Sequence, residues 1–318
     1  MTWRRIMLAV PNVDNVATHI VDRVGRIARG LQAELDLFSS LYEPDRVRPE
    51  QQHDEPTTVI ADLLEDAHRR LERIADMFRE QSVTVRCSVR WDYPVYEAIV
   101  RQVLRHQIDL LVVPARATGD IGRRTLHYRE ARLIETCPCP LLLLKSPEVY
   151  GKGPIVAAVD PLHAFEVPEE LDESIIIAAK ALSYSLAEAP VHLYHADVSA
   201  QDAPHSRVYA RVRDLAESHN IPSANVRIVR GAVETTLPEF ARTARADVVV
   251  MGALSRAYPQ QAILGHKAEQ VLDSVGCDVL VVKPRGFTSP VSRESSPAIP
   301  LPGLERAQLL ADVGATPA

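Results

Sequence analysis

The chain has 318 residues, of which 46% are hydrophobic and 25% charged, and this balance predicts a globular protein with two domains of about 150 residues each. A formal net charge of −6 argues against a nucleic-acid partner, and the apolar runs are too short for a signal peptide or a membrane span. Four cysteines do not make a disulfide framework in a chain of this length, so we expect a cytoplasmic protein without a membrane partner.

Short Val, Leu and Ile runs alternate with longer segments of helical period, which predicts β-α-β units around a buried parallel sheet. The first half opens with the run RIMLAVPN and shows five strands and four helices, with its last two strands at 110–113 and 141–144. A polar stretch at 44–58 lengthens the entry to its second helix. The segment 147–154, which contains Pro and Gly, then marks the boundary between two halves.

The second half repeats this pattern from the run PIVAAVDP onward. We predict its strands at 155–159, 191–195, 225–229, 248–251 and 279–282, and its helices at 169–187, 202–219, 233–244 and 267–274. The segments 108–145 and 246–283 align without a gap at a spacing of 138 residues, since Asp109 meets Asp247 (247 − 109). The chain is therefore predicted to contain one fold twice.

The predicted fold class is α/β, with two tandem three-layer α/β/α domains that each hold a five-stranded, mainly parallel sheet. The first domain covers residues 1–147 and the second 153–285, and the Pro- and Ser-rich remainder, 286–318, is predicted to be a disordered tail. In such sheets, ligands bind at the carboxyl ends of the strands, near the point where the strand order reverses.

Candidate ligand-binding residues of the second half lie at strand ends and at one helix start. Asp160 ends the first strand with an acceptor that could take a hydrogen bond from an adenine amino group. Gly231 follows the third strand, where a missing side chain leaves room for a ligand. Met251 and Gly252 end the fourth strand, and Gly265 begins the last helix, where free backbone N–H groups favour an anion.

Three stretches of sequence and the doubled pattern carry a family resemblance: GHKAEQVLDSVGCDVLVVKP, WDYPVYEAIV and VHLYHADV. On these grounds the chain resembles the universal stress protein (Usp) family, and within it the tandem-domain members of the UspE type, over about residues 4–285. The resemblance implies a non-enzymatic, cytoplasmic stress-response protein that supports survival under stress and DNA damage. It also implies that the halves pack as a pseudo-dimer through their last strands.

Nucleotide-binding members of that family are similar in showing Gly-x-x-Gly, about nine further residues, and then Gly followed by Ser or Thr. Here Gly252, Ser255, Gly265 and His266 stand at those positions, so Ser255 and His266 depart from the motif. A serine lacks the freedom of glycine at positive φ, and an imidazole replaces a small hydroxyl group. The departures weigh against a triphosphate cradle, and ATP or AMP held through Asp160 is the cofactor that we expect.

The first half departs further at the matching positions. Pro11 stands where the second half has Asp160, and Pro114 stands where it has Gly252. Proline removes a backbone donor and fixes φ, so both positions become rigid. We therefore expect no nucleotide site in the first half, and an open crevice in the second half alone.

Two motifs raise the question of a metal. Cys137-Pro138-Cys139 lacks the further ligands of a zinc site, and structural packing is favoured over a metal or redox role. His192 and His195 lie three residues apart on a predicted strand, so they face opposite sides of the sheet and do not share an ion. His195, at the strand end, is kept as a candidate for the ligand crevice, and no metal is predicted.

Three alternative functions, a ligand-binding protein, an enzyme and a scaffold, are compatible with the sequence. The leading one is the non-enzymatic protein that binds a small ligand, an adenine nucleotide, in its second half. The second is a slow ATPase, but the sequence shows no Gly-Lys-Ser/Thr phosphate loop. The third is a scaffold whose crevices are empty or hold an apolar molecule. The partner is expected to be a small molecule rather than nucleic acid or membrane, and a homodimer of the chain is left open.

Overall fold

The computed structural model describes residues 3–47, 56–115, 128–147, 150–151, 153–161, 170–198, 207–252 and 265–294. Ser255, most of the predicted tail and the first residues of the helices predicted at 169–187 and 202–219 lie outside these ranges.

The first half supplies five strands and four α-helices within the described ranges. They are β1 (Arg5–Ala9), α1 (Thr18–Leu31), β2 (Glu34–Leu41), α2 (Pro56–Arg79), β3 (Val85–Trp91), α3 (Val95–His106), β4 (Leu110–Pro114), α4 (Tyr128–Thr136) and β5 (Leu141–Leu144). The helices form because apolar residues recur at helical spacing: in α1 the buried positions include Val21, Val24 and Ile27. That face of α1 lies on the sheet.

The second half repeats the series. Its elements are β6 (Ile155–Ala158), α5 (Glu170–Ser185), β7 (Val191–Asp197), α6 (Arg207–Ser218), β8 (Val226–Arg230), α7 (Val233–Thr243), β9 (Val248–Gly252), α8 (His266–Ser274) and β10 (Asp278–Val282). The predicted strands are confirmed to within two residues at each end. Asn225, predicted as the first strand residue, instead ends a short 3₁₀ turn that precedes β8.

The ten strands form one continuous sheet in the order β3-β2-β1-β4-β5-β10-β9-β6-β7-β8. All neighbouring pairs are parallel except β5 and β10, which are antiparallel. Each half thus contributes five parallel strands with helices on both faces, and the predicted α/β class is confirmed. The strand order reverses between β1 and β4 in the first half, and between β6 and β9 in the second.

Side chains alternate between the two faces of the sheet, so each strand contributes residues to two hydrophobic cores, one on each face. Leu110 and Val112 of β4 belong to the core that also contains residues of α1, α2, α5 and α6. Leu111 and Val113 pack on the other face with residues of α3, α4, α7 and α8. Both cores run across the two halves without interruption.

The predicted pairing of the halves through their last strands is confirmed. Leu142 lies opposite Leu280, and Leu143 lies opposite Val279, in the antiparallel pair of β5 and β10. All residues of both strands are buried. The pairing satisfies the backbone groups of two edge strands that would otherwise remain exposed.

A buried ion pair links the two halves at the start of β10, next to the antiparallel pair of β5 and β10 that is called the joint below. Arg23 of α1 donates from Nη1 to Asp278 Oδ2 at 2.8 Å, and the two side chains are 1% and 0% exposed. Asp278 Oδ1 accepts the backbone N–H groups of Lys145 and Ser146, at 2.8 and 2.9 Å. Both oxygens of a carboxylate that lies in one half are therefore occupied by donors from the other half.

Two lysines related by the repeat anchor each half on the last helix of the other. Lys145 Nζ donates to Leu272 O and, at 2.6 Å, to Val275 O at the end of α8. Lys283 Nζ donates to Ile134 O near the end of α4. Each ammonium satisfies helix-terminal carbonyl groups and faces the negative end of a helix dipole.

The helices α1 and α5 cross where Gly30 faces the backbone of Ser185. A Cβ atom added at Gly30 would lie 2.3 Å from Ser185 O and 2.6 Å from Ser185 Cα. These are main-chain atoms that cannot rotate away. The close approach of the two halves on this face therefore requires glycine at this position.

Residues 286–294, the first part of the predicted tail, lie against the first half. Arg293 donates to Arg105 O at 3.2 Å, and Val291 packs against the core on the face of α3 and α4. Phe287 lies 4.7 Å, measured to its ring centroid, from Lys283 Nζ.

We expect Gly30→Ala to lower the free energy of unfolding by about 1–3 kcal/mol, because the methyl group forces α1 and α5 apart. Gly25→Ala in the same helix is the control, since its added Cβ would meet the flexible end of Gln81. That variant should be neutral or more stable by up to about 1 kcal/mol through helix propensity. Urea unfolding of both variants checks this, and equal loss in both would contradict the close-contact explanation.

We expect Asp278→Asn to lower the free energy of unfolding by about 3–5 kcal/mol, because the amide turns a donor toward a donor and leaves the Arg23 charge buried without its partner. Glu217→Gln is the control, since Glu217 forms an exposed pair with Arg213 at 3.5 Å. Its effect should stay below about 1 kcal/mol. The measurement is again urea unfolding, and a loss at Asp278 no larger than at Glu217 would show that the buried pair contributes nothing.

Candidate functional site

The second-half crevice lies where the strand order reverses, at the carboxyl ends of β6 and β9. These strands are neighbours in the sheet, with Ala157 opposite Val250. Asp160 follows β6 after Val159, and Gly252 is the last residue of β9. The topology therefore brings these two predicted site residues to the same edge.

Asp160 is tied to the first turn of α5. Its backbone N–H donates to Asp172 Oδ1 at 3.1 Å, and Asp172 is only 4% exposed. The residue itself is half-buried. The hydrogen bond fixes the direction in which the chain leaves β6.

Gly252 contacts the same turn of α5. A Cβ atom added at Gly252 would lie 2.8 Å from Leu171 Cδ2. The glycine therefore serves close packing against Leu171 in addition to any space that it leaves for a ligand. Asp160 and Gly252 are brought together by Asp172 and Leu171, two neighbouring residues of α5.

His195 lies on the other side of the sheet from Tyr194. Tyr194 belongs to the core on the face of α7 and α8, so the alternation along β7 places His195 on the face of α5 and α6. It is 6% exposed, and its Nδ1 lies 3.0 Å from Val159 O. His192, on the same side as Tyr194, lies near the Phe240 ring, so the prediction that the two histidines face opposite sides is confirmed. His195 therefore supports the end of β6 from the side away from α8.

Gly231 is needed for a backbone conformation with positive φ. Its φ is +127°, a conformation that residues with a side chain rarely adopt. Its N–H donates to Asp197 O at 2.9 Å, and an added Cβ would lie 2.9 Å from Thr236 Cγ2. The glycine turns the chain after β8, two strands away from β6.

Met251 and the start of α8 lie on the face of the sheet opposite α5. Met251 is 7% exposed and belongs to the core under α7 and α8. Gly265 is the N-cap of α8, with φ −72° and ψ 141°, and no described side chain caps this end. His266, the first helical residue, is exposed, and its Nε2 lies 3.3 Å from Gln270 Nε2. The start of α8 thus keeps the first-turn N–H groups that can receive an anion.

The sequence did not identify Leu171 and Asp172, which hold the predicted residues in place. Their signal was their position in the first turn of a predicted helix that follows directly after the strand ending at Asp160. The carboxyl end of a strand and the amino end of the following helix lie at the same edge of the sheet. The first turn of this helix could therefore have been predicted to face the crevice.

The first half contains a cavity of about 450 Å³ at its own crevice. Its walls include Pro11, Phe38, Tyr93, Tyr96 and Tyr128. The expectation that only the second half keeps an open crevice is therefore wrong. Pro11 offers no backbone donor to this crevice, but its ring does not fill the space. The aromatic side chains around it lie at the rim, where Tyr93 and Tyr128 are 50% and 73% exposed.

Charged side chains in the lining of this cavity, and next to it behind Tyr96, are paired with one another. Arg129 donates from Nη2 to Glu130 Oε1 at 2.6 Å and to Pro114 O at 3.2 Å. Arg132 lies over the Tyr96 ring at 5.2 Å and pairs with Glu135. The first-half cavity is thus aromatic in its walls, with its cations already engaged.

Two features associated with other functions are absent from the described residues. No group of three or more His, Cys, Asp or Glu side chains among them is placed to hold a metal ion. No helix in these ranges combines the length and the apolar character needed to cross a membrane. The absence of a metal remains a prediction.

The fold and the two crevices can be compared with known proteins. The family model described as "Universal stress protein family" matches residues 2–145 and 157–283. Universal stress protein E of Photorhabdus laumondii is 25% identical, over 86% of this chain and 91% of its own length. Universal stress protein E of Escherichia coli K12 is 23% identical, over 84% and 88%.

Solved structures share the fold. A functionally unknown protein of Pseudomonas aeruginosa PAO1 superimposes with a TM-score of 0.68 at 23% identity, covering 89% of this chain and 93% of that one. A universal stress protein of Archaeoglobus fulgidus does so with a TM-score of 0.66 at 14% identity, covering 89% and 99%. With the family model matching twice, once in each half, the chain belongs to the universal stress protein family as a tandem member similar to universal stress protein E.

Proposed function

We propose that this protein is a non-enzymatic, cytoplasmic stress-response protein that binds an adenine nucleotide in its second half. The observation that supports this most directly is the placement of Asp160 beside Gly252 at the point where the strand order reverses. A carboxylate accepts the adenine amino group, and a strand that ends in glycine allows close approach of the ligand to the backbone.

The start of α8 is the proposed position of the phosphate groups. Gly265 and His266 present first-turn N–H groups and an exposed imidazole, both of which donate to an anion. Met251 supports the floor of the crevice from the core. One phosphate group suffices to use these donors, so AMP fits the proposal as well as ATP does.

Binding without turnover is the proposed outcome. Phosphoryl transfer requires a metal-binding carboxylate and a cationic clamp placed around the phosphates. The carboxylate of Asp172 is engaged by the Asp160 backbone and is 4% exposed, which ties it to the fold. The nucleotide is therefore proposed as a ligand that reports a cellular state.

The first-half cavity favours a second candidate function. Its volume of about 450 Å³ and its walls of Phe38, Tyr93, Tyr96 and Tyr128 suit a small aromatic or apolar molecule. In this alternative the protein carries an apolar ligand in the first half, with or without a nucleotide in the second. A homodimer of the chain remains a prediction in either case.

We expect Asp160→Ala to weaken AMP and ATP binding by at least about tenfold, which corresponds to the loss of one hydrogen bond to a charged acceptor. Asp14→Ala is the matched control, because Asp14 is an exposed aspartate in the corresponding loop of the first half. Isothermal titration calorimetry on the full chain measures both. Equal affinities in wild type and Asp160→Ala would remove Asp160 from the site.

We expect mass spectrometry of the ligand extracted from purified protein to find an adenine nucleotide that Asp160→Ala loses and Tyr128→Ala keeps. The second candidate function predicts an aromatic or apolar molecule with the opposite dependence on the two variants. Incubation with ATP should release less than one phosphate per chain. Release in excess of the protein would contradict binding without turnover.

A further inference from the structure

The Cys137-Pro138-Cys139 corner between α4 and β5 holds two thiols in contact. The Sγ atoms lie 3.5 Å apart, and the two residues are 0% and 8% exposed. Formation of a disulfide would shorten this separation to about 2.05 Å, a shift that side-chain rotation across one corner can supply. The proposed nucleotide and apolar-ligand sites make no use of these cysteines.

The repeated architecture shows that the fold does not need this pair. At a spacing of 138 residues, the second half builds the same corner from Val275, Gly276 and Cys277. Cys277 therefore stands where Cys139 stands, but a valine replaces the partner thiol. Packing is satisfied at one corner by a valine, so the thiol of Cys137 adds a chemical property that the fold alone does not require.

A cation from the other half lies beside the pair. Lys283 Nζ donates to Ile134 O, three residues before Cys137, and Lys283 is only 6% exposed. Its counterpart Lys145 occupies the equivalent place at the second corner, where Val275 offers no ionisable group. Lys283 thus lies near two thiols, those of Cys137 and Cys139, whereas at the second corner Lys145 lies near the thiol of Cys277.

The ionisation of the four cysteines differs in direction. Burial tends to raise the pKa of Cys137, but hydrogen bonds from the Cys139 thiol and backbone, together with the Lys283 charge, outweigh it and lower that pKa. Burial raises the pKa of Cys139, Cys87 and Cys277, the last to about 12. Cys137 is the thiol that becomes a nucleophile most readily.

We propose that Cys137 and Cys139 form a reversible intrachain disulfide when the protein reacts with a small hydroperoxide. The Cys137 thiolate attacks one peroxide oxygen, the O–O bond breaks, and a sulfenic acid and hydroxide form. Cys139 then attacks the Cys137 sulfur and displaces water, and the proton released earlier by Cys137 converts the hydroxide to a second water. Two thiols are oxidised to one disulfide, and one hydrogen peroxide is reduced to two waters.

The burial of the pair selects the oxidant. Because the two residues are 0% and 8% exposed, a small oxidant needs a smaller opening of the corner than glutathione disulfide, which must bring a bulky sulfur to within bonding distance. The proposed substrate class is therefore the small hydroperoxides. A cellular dithiol reductant would reverse the reaction once the corner opens.

The test treats the reduced full-length chain with hydrogen peroxide, alkylates the remaining thiols under denaturing conditions and maps the tryptic peptides. Peptide 133–145 carries both cysteines, and after oxidation it should be lighter by two hydrogen atoms and carry no alkyl group. Cys277 should remain alkylated, and a reductant should restore both labels at 137 and 139. Full alkylation of peptide 133–145 after peroxide treatment would overturn the proposal.

Three variants separate chemistry from structure. Cys137→Val installs the residue of the second corner, so it should fold and form no disulfide at Cys139. Lys283→Gln should slow oxidation of the pair by at least about fivefold, because the thiolate loses its cation. Lys145→Gln removes the equivalent anchor and should leave the rate unchanged. Equal slowing by both lysine variants, or equal oxidation by glutathione disulfide and peroxide, would contradict the proposed role of Lys283 or the proposed oxidant.

Discussion

The antiparallel pairing of β5 and β10 is the constraint on which the rest of the molecule depends. It joins two sheets of five parallel strands into one sheet of ten, and it removes both apolar edges from solvent. Because the strands of each half run parallel to one another, this single antiparallel contact directs their carboxyl ends to opposite ends of the sheet. The two crevices therefore open away from each other, and a ligand in one does not contact the other.

The joint is symmetric in its backbone and asymmetric in its charges. Lys145 and Lys283 anchor equivalent helix ends, as the repeat requires. Asp278 has Pro140 at the equivalent position of the first half, so the buried pair with Arg23 exists once. The net contribution of a buried pair of this kind to stability is small, and its loss is costly mainly because a charge is left alone in the core.

Pattern and repetition predicted the fold because the sheet is buried on both faces, and such strands appear in the sequence as short apolar runs separated by helical periods. The pairing of the halves through 141–144 and 279–282 came from the family resemblance, and the apolar residues of both strands fit it because such edges need cover. The site was harder to predict, because contacts such as Gly252 with Leu171 join residues that are distant in sequence. For the same reason, the first-half cavity was not predicted. The prediction rested on Pro11, whereas the aromatic walls come from positions spread between 38 and 128.

A duplicated frame also provides an internal comparison that a single domain lacks. Where the two halves place different side chains on the same backbone, the shared fold alone does not account for the difference. It reflects either a contact that one half makes, as with Asp278 and Pro140, or a separate chemical property. Gly231 and Gly30 have structural explanations, namely the positive φ of Gly231 and the contact of Gly30 with the Ser185 backbone. Asp160 and Cys137 differ between the halves, since Pro11 and Val275 stand at the equivalent positions. The two proposals therefore assign different chemistry to the two halves, ligand binding at a strand end of the second and thiol oxidation at a helix-strand corner of the first.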